Sequence, residues 1–121
     1  YGDESTARKY SLVKNYPEVN QRAVLEMQRQ VGDLKMDEGG IACQGLLVRH
    51  LVLPNQLAGS EKIFKFLAEK VSKNVYLNIM AQYHSAHRAC DFPELNRRIR
   101  PEEYQEVLQL AKNLGLSRLD I

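Results

Sequence analysis

Apolar positions fall into distinct periods along the chain, and each period predicts an element. Val19, Ala23, Met27 and Val31 recur every four residues with Val24 beside them, which is the stripe of an amphipathic helix. Asn15 stands where an N-cap belongs, Pro17 suits the first turn, and Glu18 follows three residues after the cap. Gly32 occupies the place of a left-handed C-cap, so this helix is expected to end near Val31. Leu34 to Met36 and Ile41 to Cys43 flank Asp37-Glu38-Gly39-Gly40, a turn sequence that predicts a small β-hairpin ribbon. The run Leu46 to Leu53 is mostly apolar on both alternating faces, which predicts a strand covered on two sides and ended by Pro54.

Farther on, Ser60 stands as the cap of a second helix with Ile63, Phe64, Leu67, Ala68 and Val71 on one face, running to about Ser72. Val75 to Met80 has the β-branched, aromatic and aliphatic make-up of another strand. A polar segment with His84, His87 and Arg88 follows and is the expected functional loop. Pro101, with Glu102 and Glu103 at the positive end of the dipole, opens a third helix closed by Gly115, and Leu116 to Ile121 begins a last short strand. The residues before Asn15 read as a polar lead-in without an element of their own. This alternation of helix and strand implies right-handed crossovers and a parallel sheet in one domain spanning residues 1–121. Three or four strands are too few to close a barrel, which takes about eight, so the pattern leaves an open sheet or a half barrel. Either form has exposed strand edges through which the chain could self-associate.

Charge adds little. Seventeen basic and fifteen acidic residues leave a formal net charge of +2, too small for the electrostatic footprint of a nucleic-acid binder. The longest apolar run is interrupted by Arg49 and His50 and is far short of the roughly 20 residues of a membrane span. Cys43 and Cys90 are widely separated and lack paired zinc or disulfide spacing, which points to reduced thiols and a cytoplasmic setting. The chain starts at Tyr1 and its methionines are Met27, Met36 and Met80, so the natural N-terminus is expected upstream.

Ligands of parallel sheets gather at the carboxyl ends of the strands, here after Leu53 and after Met80. Arg49 lies inside an apolar strand, where a guanidinium needs a partner. It is either a structural ion pair or an anchor for a ligand carboxylate. Alternation puts Arg49, Leu51 and Leu53 on one face and His50 on the other, with Arg49 expected to face inward. Asn78, Gln82 and Tyr83 offer amide and phenol hydrogen bonds near the second strand's end. His84 and His87 are three apart but have no third ligand at a suitable interval, and no metal is expected there. Arg97, Arg98 and Arg100 read as exposed charges flanking a helix start. No nucleophile elbow or P-loop is present.

Several segments taken together resemble the pyruvate formate-lyase-activating-enzyme-like branch of the radical S-adenosylmethionine proteins. They are Tyr1-Gly2-Asp3 with Lys9-Tyr10-Ser11, Met27 to Gly32, Gly45 to Pro54, Tyr76 to Met80 with Gln82-Tyr83, and Phe92 to Ile99, so the resemblance covers nearly the whole chain. It implies the C-terminal part of a parallel (β/α) barrel whose cofactors are S-adenosylmethionine and a [4Fe-4S] cluster held by a Cys-x3-Cys-x2-Cys motif. Reductive cleavage there gives a 5′-deoxyadenosyl radical that abstracts hydrogen from substrate. Cys43 and Cys90 do not match the motif, which the family places upstream of the counterpart of Tyr1, so the cluster ligands would lie outside these residues. By the same resemblance Arg49, Leu51, Met80 and Tyr83, with Asn78 and Gln82 beside them, would line the cofactor. The chain departs from the family at Ala81 and His84, where the pattern has aspartate and arginine. The alternative to an enzyme part is a non-catalytic α/β interaction module.

Overall fold

The computed structural model describes all residues, Tyr1–Ile121. Helices α1 (Glu4–Ser11) and α2 (Tyr16–Val31) lead into a ribbon of β1 (Lys35–Met36) and β2 (Ala42–Gln44). Then come β3 (Leu47–Leu51), α3 (Ser60–Phe66) continued by a π-helical turn over Leu67–Val71, β4 (Tyr76–Met80), α4 (Pro101–Asn113) and β5 (Leu119–Asp120). The ribbon is antiparallel and separate, while β3, β4 and β5 form a parallel sheet in that order. Register pairs Leu47 with Tyr76 and Leu51 with Met80, then Leu77 with Leu119.

The expected partial (β/α) barrel is not formed. The molecule is a small α/β domain with a two-stranded antiparallel ribbon and a separate three-stranded parallel sheet that stays open. The physical cause lies in the two faces of that sheet. One face carries Leu77 and Ile79, which with Val52, Phe64, Leu67, Val107, Leu108, Ala111 and Leu116 make a single core between sheet and helices. Burying each large side chain of that kind stabilises by about 1.5–3 kcal/mol. The opposite face carries Leu47, Arg49, Leu51, Tyr76, Asn78 and Met80, all exposed or half-buried, and a charged row crosses its middle. A row of hydrated polar groups stands where a barrel needs packed apolar layers. The strand expected over Leu46 to Leu53 is thus covered on one side only, and its ladder is shorter. Alternation holds, but its sense is reversed: His50 is buried and Arg49 faces solvent.

Local chemistry explains other departures. The lead-in expected before Asn15 holds a helix, α1, of which only Ala7 is buried; an Arg8–Glu4 pair one turn apart stabilises it. Asn15 does not cap α2 with its side chain; its backbone adopts a left-handed φ of 59° and its N–H donates to Glu4 Oε1 at 3.0 Å. The α2 stripe stays largely in solvent, with Val24 buried while Val19 and Met27 remain exposed. Ser60 opens α3 without capping it, because its hydroxyl is taken up by His50. The ribbon, β4 and α4 fall where the pattern puts them. No helix is long and apolar enough to cross a membrane.

Candidate functional site at the carboxyl ends of the strands

Arg49 on β3, Asn78 on β4 and Asp120 on β5 are register neighbours. Arg49 Nε donates to Asn78 Oδ1 at 3.2 Å, and Asn78 Nδ2 donates to Asp120 Oδ2 at 3.0 Å and to the Asp120 carbonyl at 3.2 Å. The partner of Arg49 is therefore an amide. Its terminal guanidinium nitrogens have no hydrogen bond within the chain and remain free for an anion.

Along the free edge of β3, a hollow of about 440 Å³ opens between the sheet and α1–α2. Arg49, Leu51 and Met80 line it, together with Tyr1, Tyr16 and Leu53. That volume lies in the range of small-ligand sites, and its wall is mostly apolar with one cation, a composition suited to a ligand with a planar ring and a carboxylate. A second hollow of about 240 Å³ adjoins it and shares Tyr1 and Leu53; Tyr83 lines this one with Tyr10, Phe92 and His87. Arg49 and Tyr83 thus serve adjoining hollows around the same strand ends. Asn78 lines neither hollow but holds Arg49. Gln82 is exposed, lines neither and is not brought to the site.

What holds these walls is a set of contacts invisible to short-range patterning. The segment after β4 folds back so that Tyr83 Oη donates to the Leu95 carbonyl at 2.9 Å and Ser85 Oγ to the same carbonyl at 3.2 Å. Tyr1 reaches the site because two glycines touch: Gly2 N–H donates to the Ala58 carbonyl at 2.8 Å, and a Cβ on Gly2 would sit 2.5 Å from the Gly59 carbonyl oxygen. Gly59 itself has φ +69°, a conformation L side chains rarely adopt. Asp3 pairs with Lys62 alongside.

Arg97 does not belong to a loose basic run. Its guanidinium grips both oxygens of Glu103 at 2.7 and 2.8 Å and donates to Asn55 Oδ1 at 2.9 Å, while the Asn55 and Arg100 backbone N–H groups donate to Glu103 at 2.8 Å. These bonds, led by that of Arg97, hold the Glu103 carboxyl down at about 2. The clamp ties the loop after β3 to the start of α4. Beneath the sheet, His50 Nε2 lies 2.8 Å from Ser60 Oγ and the ring meets Phe64 edge-on at 5.0 Å. Burial lowers the imidazole to about 4, so it is neutral at physiological pH and acts as a core group.

Tyr1, Tyr10 and Phe92 are site residues that sequence reasoning missed, whereas alternation places Leu53 on the face of Arg49. No period links Tyr1, Tyr10 and Phe92 along the chain. The thiols of Cys43 and Cys90 are exposed and free, and no three His, Cys, Asp or Glu side chains converge on a metal position. These residues do not fit a [4Fe-4S] cluster, whose ligation takes thiolates gathered at one place. A hollow between α3 and α4 of about 390 Å³ lies on the helix side, bordered by the paired Asp3 and Lys62 and by Glu61 and Glu106.

No family model and no solved structure matches the chain. The chain is similar to an uncharacterized protein of the archaeon Methanocaldococcus jannaschii, with 33% identity over 117 residues that cover 96% of this chain and 30% of the relative. The chain therefore spans less than a third of that protein's length.

Proposed function

We propose that these residues form the cofactor-cradling part of a radical S-adenosylmethionine enzyme, similar to the activating enzymes of glycyl-radical proteins, in a longer cytoplasmic protein whose cluster cysteines lie elsewhere. The observation that carries it is that β3 and β4 run parallel and in register, so that Arg49, Leu51 and Met80 border one hollow at their carboxyl ends. The free guanidinium nitrogens of Arg49 suit a methionyl carboxylate, and the Tyr1, Tyr16 and Leu51 walls suit an adenine ring. The cluster supplies the electron when bound; the residues in hand bind and orient.

Two measurements test it. A longer protein containing this chain, reconstituted anaerobically and reduced, is expected to show a [4Fe-4S] electron paramagnetic resonance signal that changes on adding S-adenosylmethionine. A protein that takes up no cluster refutes the proposal. In the same protein Arg49→Ala is expected to weaken S-adenosylmethionine binding about tenfold, the loss of one charge-assisted hydrogen-bonded contact.

A second reading is a non-catalytic interaction module. It is favoured by the large apolar side chains left in solvent at Leu47, Met36 and Ile41, and by the unpaired edges of β3 and β5. It predicts concentration-dependent self-association by light scattering, and a chain that stays monomeric counts against it.

A further inference from the structure

The smaller hollow has a chemistry of its own. Its walls are the rings of Tyr10, Tyr83 and Phe92, with Tyr10 and Phe92 edge to face at 5.1 Å. The phenol groups are already engaged: Tyr10 Oη donates to Glu94 Oε1 at 2.6 Å, and Tyr83 Oη to the Leu95 carbonyl. What these residues offer a ligand is ring surface. At about 240 Å³ the space exceeds the roughly 150 Å³ in which a protein cavity takes up benzene, so one substituted ring fits.

Polar character comes from one side only. His84, His87 and Arg88 border the hollow, and no carboxylate does. Neither imidazole is hydrogen-bonded through its ring within the chain, and Arg88 spends only its Nε on Asp91, at 2.8 Å, leaving its terminal nitrogens free. His87 moreover holds a left-handed backbone, φ +51°, in a residue with a full side chain. Aromatic walls bordered by three nitrogen-bearing side chains, with the neighbouring Asp91 carboxylate already paired to Arg88, favour a planar ring bearing an anion over one bearing a cation.

We propose that this hollow binds a single-ring aromatic carboxylate. Its position beside the Arg49 hollow, with Tyr1 and Leu53 shared, makes it the substrate side of the proposed cofactor site. Only that label rests on the radical S-adenosylmethionine reading; the binding does not.

The test is titration of the chain with 4-hydroxybenzoate, followed by two-dimensional nuclear magnetic resonance, with benzamidine as the cationic control. Resonances of Tyr83, His87 and Phe92 are expected to shift with a Kd in roughly the millimolar range, as befits about ten heavy atoms. The double variant His87→Gly, Arg88→Ala, in which glycine relieves the strained φ, is expected to weaken binding about tenfold or more. Lys112→Ala, at an exposed position of α4 that lines neither hollow, should leave it unchanged. No shifts at about 10 mM, equal binding of benzamidine, or undiminished binding by the double variant would each overturn the proposal. Retained binding in a longer protein that takes up no cluster would sink the cofactor reading and spare this one. Binding of S-adenosylmethionine without the aromatic acid would do the reverse.

Discussion

Replacing His50 by glutamine should remove a large part of the chain's loss of stability between neutral and mildly acid pH. The Tyr1 amine, also lowered by burial, contributes in the same direction. His50 is 6% exposed, and its folded value of about 4 lies below the 6.5 of a free imidazole. A depressed histidine costs nothing above its unfolded value. As pH falls through 6.5 the unfolded chain takes up a proton that the folded chain refuses, so stability is lost progressively until about pH 4. The full shift corresponds to about 3 kcal/mol at 1.36 kcal/mol per unit, and the part falling between about pH 7 and pH 5 is about 2 kcal/mol. The carboxyl groups held lowest, Glu26, Glu94 and Glu103 at about 2, release their contribution only below their ordinary value of 4.5 and stay outside that window. Urea unfolding followed by far-ultraviolet circular dichroism should show the midpoint of the unmodified chain falling by about 1 M across the window, for a slope of 1–3 kcal/mol per molar. Glutamine keeps an amide near Ser60 Oγ but cannot titrate, so His50→Gln should flatten the curve, and exposed histidines act equally in both proteins. Parallel curves for the two proteins would refute the neutral, buried assignment.

Other expectations are simpler to state. Gly2→Ala forces a Cβ onto the Gly59 carbonyl and should cost about 1–3 kcal/mol by urea unfolding; a neutral result would mean the glycine contact yields freely. Tyr104→Phe removes the hydroxyl that donates to the Ile79 carbonyl at 2.9 Å, for a loss of about 1 kcal/mol measured the same way. Glu103→Gln should lower the urea midpoint at neutral pH. Because the carboxyl's folded value is depressed, the difference should fade as acidification proceeds from its ordinary 4.5 toward about 2; a difference independent of pH would contradict it. Phe64→Ala, at a fully buried core position, should cost about 3–5 kcal/mol.

Elements with strong periods were legible: α2 from its four-residue stripe, β4 and α4 from composition and from Pro101, and the ribbon from its glycines. α1 was not, since a short helix with one buried residue writes no stripe. Periodicity also does not say which face of β3 is covered. That is decided by α3 and α4, which both pack on the side of His50 and leave Arg49 outside. The barrel expectation failed on the same point, because alternating helices and strands constrain neighbours in a sheet but not its closure. At the site, Arg49, Leu51 and Met80 could be read together because they lie at register positions of adjacent strands. The aromatic wall could not, since Tyr10 and Phe92 meet only through the long return of the chain after β4.

The order of strands in the sheet governs how this chain can fold. Tyr76 finds its ladder partner Leu47 across 76 − 47 = 29 positions, and Leu119 finds Leu77 across 119 − 77 = 42. Neither pairing can form by local zipping; each must wait for closure of a long loop, an entropic toll met before any ladder bond repays it. Refolding should therefore be limited by docking of the helices that bring the strands together, and core substitutions in α3 and α4 should slow it more than changes on the open face.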